Sequence, residues 1–534
     1  MNIKEKHIWF LGFTAVFAAL AGVVFWGTWS SGFSFVQPDS SMVPSPYTIS
    51  NFWRDWLTNG KFCPNNLLVF IDPIWHRPGF FYSMCGYFSG LALMYYLRGR
   101  GLSRMASYGA GLLLGFCGYW FSLFSAGHGT WFLTAAYVLW PFGLLDRAIR
   151  KGKAKNWVLT GATLAWAAYW QTDLWLLFTV FIGAYFVYKC VAERKFPWKG
   201  MLIAGVSLFV IGGAAFRAAI FVNLADRDAA IAEGATLSAK DKTSSDEREK
   251  RWIFVTNWSL PPVESLEFFI PRINGDTSCP LTLSLGARYG TGVKPYTGAL
   301  GRPKDAPSGN YRQHSLYVGF VTCVFALFGI CFALKRNETR RTDIAFFAFA
   351  AFVFWLCSMG RYCEPVYRVV FSLPFGDYLR APVKWHHLTE FCLCVLAGFG
   401  IEGLVERIGR LGQIGRFAPW IVGAMVLIGA IDLARIDHLY CAPVDLREAK
   451  RQNSSMQMTF LRRADFNNPQ VAAMVKAKKI VALAQPNPET YLVGVLEPWK
   501  KNTEPLPPMG TAAWLGILSM LGTLAVGVCV VRRL

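Results

Sequence analysis

The sequence predicts an all-α polytopic membrane protein, and three observations carry that prediction. The 534 residues are 54% apolar and only 16% charged, with a mean hydropathy of +0.32. Apolar runs of roughly 17 to 22 residues recur along the chain, each long enough as a helix to cross about 30 Å of hydrocarbon. The 54 Lys and Arg against 33 Asp and Glu, a formal charge of +21, gather in short connectors between those runs. One soluble core of this composition would be unusual, and a disordered or collagen-like chain is excluded.

Spans are predicted near 8–28, 79–97, 105–126, 130–145, 156–170, 174–190, 201–221, 315–334, 344–359, 386–405, 417–434 and 511–531, about twelve helices. With a cytoplasmic N-terminus the inner segments are 1–7, 98–104, 146–155, 189–199, 335–343, 406–416 and 532–534. These hold 23 Lys and Arg against 6 acids, or +17 of the +21. The outer turns Gly127-His128-Gly129 and Gln171-Thr172-Asp173 hold no Lys or Arg, as the positive-inside rule requires. The basic balance thus encodes topology with both termini cytoplasmic, and no basic stripe with interleaved aromatics calls for nucleic acid. The first run, behind Lys4 and Lys6, lacks a small-x-small cleavage site near Trp29 to Gly32 and reads as a retained anchor.

Three outer segments are long enough to hold structure: 29–78, 222–314 and 435–510. The expected organisation is a transmembrane module over 1–434, a small α+β lobe over 435–510 and a final helix over 511–534. Ile49, Phe52, Trp53, Trp56 and Leu57 share one helical face and predict an interfacial amphipathic helix. Residues 226–251 are dense in charge, and 274–310 are punctuated by Gly and Pro. Two apolar stretches, 479–484 and 491–496, flank Gln-Pro-Asn-Pro-Glu-Thr and read as a hairpin with a long turn. Cys63, Cys279, Cys363 and Cys441 fall on the outer side, as thiols or as up to two disulfides. No GxxxxGK[ST] loop is present, so ATP-driven transport is not indicated.

The polar residues that could carry chemistry cluster at predicted outer ends. Asp39 follows the first span and could take a proton from an acceptor or simply cap a turn after Pro38. His128, Gln171 and Asp173 lie at the mouths of two outer turns, where they could bind sugar hydroxyls or a phosphate, or serve as caps and headgroup contacts. Arg217 sits inside the end of the seventh span, where a guanidinium costs up to about 2.5–3.5 kcal/mol and calls for a partner or a cleft. Arg380, Lys384 and His387 precede or open the tenth span, suited to a lipid phosphate or to snorkelling anchorage. Glu390 and Glu402 on that helix could pair with basic neighbours. No metal-ligand spacing is seen, so a divalent metal would need ligands from distant loops.

These residues also carry a family likeness. Thr256 to Gly275, with Trp258-Ser259, Glu264 and Pro271, resembles a stretch of bacterial YfhO-like membrane proteins, a branch of the GT-C glycosyltransferase superfamily. Leu379-Arg-Ala-Pro-Val-Lys-Trp is similar to that family's Arg-x-Pro-x-Arg-Phe segment, with Lys384 where an Arg is usual, and Trp53 to Gly60, Ala126 to Gly129 and the Gln171 turn resemble its outer-loop landmarks. The patches run from about 39 to 403, and 435–510 matches poorly. The resemblance implies a GT-C-like helical enzyme that takes sugar from a polyprenyl-phosphate donor in the membrane. The sugar would pass, with inversion, to an envelope glycan, lipid or protein acceptor on the outer face of a bacterial inner membrane. It implies Asp39 as base, although Ser40 and Ser41 stand where the superfamily often has a second acid. A carrier or flippase for a lipid-linked glycan and a non-catalytic envelope assembly subunit are the alternatives.

Overall fold

The computed structural model describes residues 3–29, 33–35, 52–53, 56, 60, 62–64, 78–120, 129–217, 247–274, 315–333, 338–374, 376–441, 443–445, 454–477, 479–487, 490–498 and 513–531. Its principal helices are α1 (Ile3–Val24), α2 (Pro78–Gly99), α3 (Arg104–Gly115), α4 (Gly129–Val138), α5 (Trp140–Lys151), α6 (Ala154–Ala168) and α7 (Thr172–Ala192). There follow α8 (Trp198–Arg217), α9 (Glu247–Val255), α10 (Phe320–Ala333), α11 (Glu338–Ser358), α12 (Glu364–Ser372), α13 (His386–Ile408) and α14 (Ala418–Tyr440). Last come α15 (Pro469–Lys476) and α16 (Ala513–Val531).

Among the described residues, seven helices are long and apolar enough to cross a membrane: His7–Val24, Gly129–Lys151, Thr172–Ala192, Trp198–Arg217, Arg340–Ser358, Pro382–Ile408 and Ala418–Leu439. The chain is an all-α membrane protein in this coarse sense. Phe320–Cys331 and Ala513–Val528 are apolar but shorter. The single run expected over 105–126 is instead the twelve-residue α3, which stops at Gly115. The cause is a close backbone approach: the Gly118 N–H donates to the Tyr317 carbonyl at 3.1 Å, and a Cβ at Gly118 would meet that oxygen at 2.7 Å. The run expected over 130–145 continues to Lys151, with a break before Trp140 where Pro141 cannot donate to the helix ladder.

Helix packing rests on small residues, as expected where lipid offers apolar side chains no hydrophobic reason to leave it. A Cβ on Gly400 of α13 would stand 1.8 Å from the Phe325 carbonyl oxygen of α10, and one on Gly329 would stand 2.3 Å from the Leu396 oxygen. Gly90 of α2 and Gly111 of α3 meet in the same way, at 2.5 and 2.7 Å. Such crossings bring backbone to backbone and align the polar groups near them.

At one end of the bundle a buried charge network joins four helices. Arg100, just past α2, reaches Asp146 of α5 at 3.0 Å and pairs with Asp343 of α11, its Nε donating at 2.7 Å. Lys189 of α7 lies 3.6 Å from Asp146, 3.8 Å from Asp343 and 3.7 Å from Glu193. Arg150 also donates to Asp146, at 2.9 Å through Nε, and the Tyr188 hydroxyl donates to Asp343 at 2.8 Å. Three cations face three carboxylates. Burial is the largest influence and opposes the charge on Arg100, but the neighbouring groups together, Asp343 foremost and Asp146 among them, outweigh it and hold the guanidinium above its ordinary range.

The remaining elements are peripheral. β1 (Phe33–Phe35) pairs antiparallel with β2 (Pro443–Asp445), tying the chain after α1 to the chain after α14. β3 (Ser454–Arg462), β4 (Ile480–Asn487) and β5 (Thr490–Pro498) form an antiparallel sheet in the order β3-β5-β4. The expected hairpin is present, but its strands run on to Asn487 and Thr490, because two register shifts in β4 absorb residues expected in the turn. Phe52, Trp53 and Trp56 of the expected amphipathic helix are helical and pack with Phe62 and Met520, Gly516 leaving room for the Trp56 ring, while Ile49 and Leu57 lie outside the described residues. Cys63, Cys363 and Cys441 are thiols, and Cys279 lies outside the described residues.

Two expected outcomes follow. Asp343→Asn leaves buried cations uncompensated and lowers stability by about 3–5 kcal/mol, read as a fall in the thermal midpoint of detergent-purified protein; an unchanged midpoint would remove the network's structural role. Gly400→Ala costs about 1–3 kcal/mol or more through overpacking, whereas Gly183→Ala, with nothing within 4 Å of its Cβ, is neutral or mildly stabilising in the same measurement.

Candidate functional site

The candidate site is built at the opposite end of α7 from Lys189, where the chain enters α13. A turn at Gly376–Tyr378 leads to Arg380 and then to Ala381, whose φ of 62° and ψ of 82° are left-handed although it carries a Cβ. The Ala381 N–H donates to the Val255 carbonyl at 3.0 Å, and that of Val383 to the Trp258 carbonyl at 3.1 Å. These bonds hold the approach to α13 against the end of α9 and the chain that follows it. Pro382–Trp385 then forms a single turn into α13, with Lys384 buried on it.

The Lys384 ammonium pairs with Asp173 at the start of α7 and lies 4.7 Å from the centre of the Trp131 ring. The other Asp173 oxygen accepts from the Gln171 amide and from its own helix at Leu174 N, both at 2.8 Å. The Gln171 carbonyl oxygen accepts from the Thr130 hydroxyl at 3.1 Å, and its backbone N–H donates to the Thr134 hydroxyl at 3.0 Å. Ammonium, carboxylate, amide, hydroxyl and indole face thus converge from α4, α7 and the approach to α13. Such a set can meet sugar hydroxyls or an anionic oxygen.

Of the residues singled out in the sequence, Gln171, Asp173 and Lys384 are brought together. Arg380 is exposed, its guanidinium 4.3 Å from the Trp258 ring centre and 4.9 Å from that of Phe254. Arg217 is exposed on the final residue of α8, and among the described residues nothing joins it to the Lys384 group. Asp39 and His128 lie outside the described residues. Sequence reasoning missed Thr130 and Trp131, which directly follow the Gly-His-Gly corner.

A deeper layer lies behind Trp131. The His387 ring packs between Trp120 and Tyr119, with centroids at 4.0 and 4.2 Å, and stands 5.6 Å from Trp131. His386 stacks on Phe268 at 4.2 Å, and its Nε2 lies 3.2 Å from the Leu316 carbonyl. That oxygen can only accept, so Nε2 carries the proton in this bond. The basic neighbours of Glu390 are histidines, His386 Nε2 at 3.6 Å from Oε1 and His387 Nδ1 at 3.9 Å from Oε2. Glu390 Oε1 accepts from the Tyr119 N–H at 3.2 Å, satisfying the backbone where α3 has ended. Glu402 serves a similar end, accepting from Ser103 N at 2.9 Å before α3.

No family model, no curated protein and no solved structure matches this chain. The site's meaning therefore rests on its own residues and on the short motifs. Among the described residues no group of three or more His, Cys, Asp or Glu could hold a metal ion.

Ala381 offers a direct test of the local geometry. A left-handed residue with a Cβ costs about 1–2 kcal/mol, and it stands before a proline. Ala381→Gly relieves that strain and raises or preserves the unfolding midpoint, whereas the β-branched Ala381→Val lowers it. Equal midpoints for the two variants would show that the backbone does not hold this conformation.

Proposed function

We propose that the protein is a membrane glycosyltransferase of GT-C type, transferring a sugar from a polyprenyl-phosphate donor to a cell-envelope acceptor at the extracytoplasmic face. One observation carries the reading: a buried lysine, an acid and an amide from distant parts of the chain meet beside an indole at one end of an apolar helical bundle. On this reading the bundle has about twelve spans in a bacterial inner membrane, with both termini cytoplasmic.

The chemistry assigns roles by charge. Lys384 meets the donor phosphate and stabilises it as it leaves, with Arg380 and Arg217 as further cations near the rim. Asp39 accepts the proton of the acceptor hydroxyl as that oxygen attacks the anomeric carbon from the side opposite the phosphate. His128, Gln171 and Asp173 contact sugar. Lys384 is already paired with Asp173, but an ammonium has three donors and can hold the carboxylate and a phosphate oxygen together.

The buried Glu390 supports a second reading, a carrier for lipid-linked glycan, because an acid within a membrane helix often marks a transport path. Cleavage of a polyprenyl-phosphate sugar by purified protein in detergent separates the two. If transfer occurs, Lys384→Met lowers its rate about 10²–10³-fold and Lys384→Arg retains part of it. Full activity in Lys384→Met, or in Asp39→Asn at normal membrane abundance, would sink the corresponding assignment.

A further inference from the structure

Glu390 sits one turn into α13 and is fully buried. Its Oε1 accepts from the Tyr119 N–H at 3.2 Å and from the Cys117 thiol at 3.3 Å. Among the described residues its Oε2 receives no hydrogen bond. His387 Nδ1 lies 3.9 Å from that oxygen, and His386 Nε2 lies 3.6 Å from Oε1. The other titratable groups facing this cluster are Cys394 on the same helix, Cys323 of α10 and the buried Asp437 of α14, itself near Asp432. Among the described residues no Lys or Arg pairs with Glu390.

Among the described residues an ionised carboxylate in that setting has two neutral donors on one oxygen, no hydrogen bond on the other and a second buried acid nearby. Among the same residues no Lys or Arg offsets the loss of water around its charge. Next to it, His387 lies among the Tyr119, Trp120 and Trp131 rings, whose π faces favour an imidazolium over a neutral ring. A proton on either partner removes the imbalance.

We propose that Glu390 and His387 form a proton-binding site inside the bundle, the pair carrying one proton more than an ionised carboxylate beside a neutral imidazole would. The proton is taken from water and resides on the Glu390 carboxyl or on the His387 ring, with no other bond made or broken. The site is independent of the glycosyltransferase reading. It is placed to influence the candidate cleft, because Trp131 has the Lys384 ammonium 4.7 Å from its ring centre and the His387 ring centroid at 5.6 Å.

The test uses the full-length protein in detergent near neutral pH, with ¹⁵N-labelled histidine and infrared spectroscopy. The chain has seven histidines, so the His387 resonance is identified by its loss in His387→Gln. The expected result is one of two signatures. Either His387 is an imidazolium that becomes neutral in Glu390→Gln, or a protonated-carboxyl C=O stretch is present that Glu390→Gln removes. The amide introduced by Glu390→Gln keeps an acceptor for the Tyr119 N–H; should that variant fail to accumulate, Glu390→Asp shifts the same signature instead of removing it. A neutral His387 ring together with an ionised Glu390 carboxylate overturns the proposal.

Discussion

A carboxylate enclosed by apolar helices has no water to solvate it, so it must find a counter-charge or a proton within the bundle. That constraint organises both ends of this protein, and α7 connects them. Asp173 and Lys189 stand at opposite ends of that helix, about 24 Å apart at 1.5 Å per residue. At the Lys189 end the lysine and both aspartates are each only 1% exposed, and charges balance three to three. At the Asp173 end the pair is 10% and 20% exposed and has a polar amide beside it. The first arrangement locks helices together. The second is partly open to the outside, which sets it apart as the candidate site.

The bundle's interior shape follows from where backbones touch. Glycines at the crossings of α10 with α13 and α2 with α3 allow contacts that any side chain would block. One cost of the close approach at Gly118 is that α3 cannot continue, which frees backbone donors inside an environment with few acceptors. Glu390 answers that need at Tyr119. A side chain that first satisfies interrupted backbone, and also faces two histidines, is thereby fixed in position before any chemistry is asked of it.

Much of the helical layout was legible because period and length are local properties of a sequence. Gln171 and Asp173 were found from their place in a turn without Lys or Arg, and Lys384 from its spacing ahead of an apolar run. What brought them together was not legible. It depends on Ala381 adopting a left-handed turn and on hydrogen bonds to Val255 and Trp258, over a hundred positions away in the chain. The charge network was hidden for a different reason. Asp146, Lys189 and Asp343 look like ordinary members of basic connectors, and only folding turns them inward. The predicted break-free run over 105–126 failed because hydropathy carries no information about backbone approach at Gly118.

Lys384 and Arg380 are four residues apart, yet their surroundings give them different work. Arg380 spreads a planar guanidinium over Trp258 and Phe254 and remains exposed. Lys384 is a compact point charge already engaged by Asp173 and backed by an indole. An anionic headgroup approaching this end would therefore meet a fixed cation at the rim before a neutralised one within. The inner ammonium then favours an oxygen that can share it with Asp173. On the proposed reading, a phosphate bearing a sugar satisfies both, since its oxygens suit the ammonium while the sugar hydroxyls suit Asp173 and Gln171.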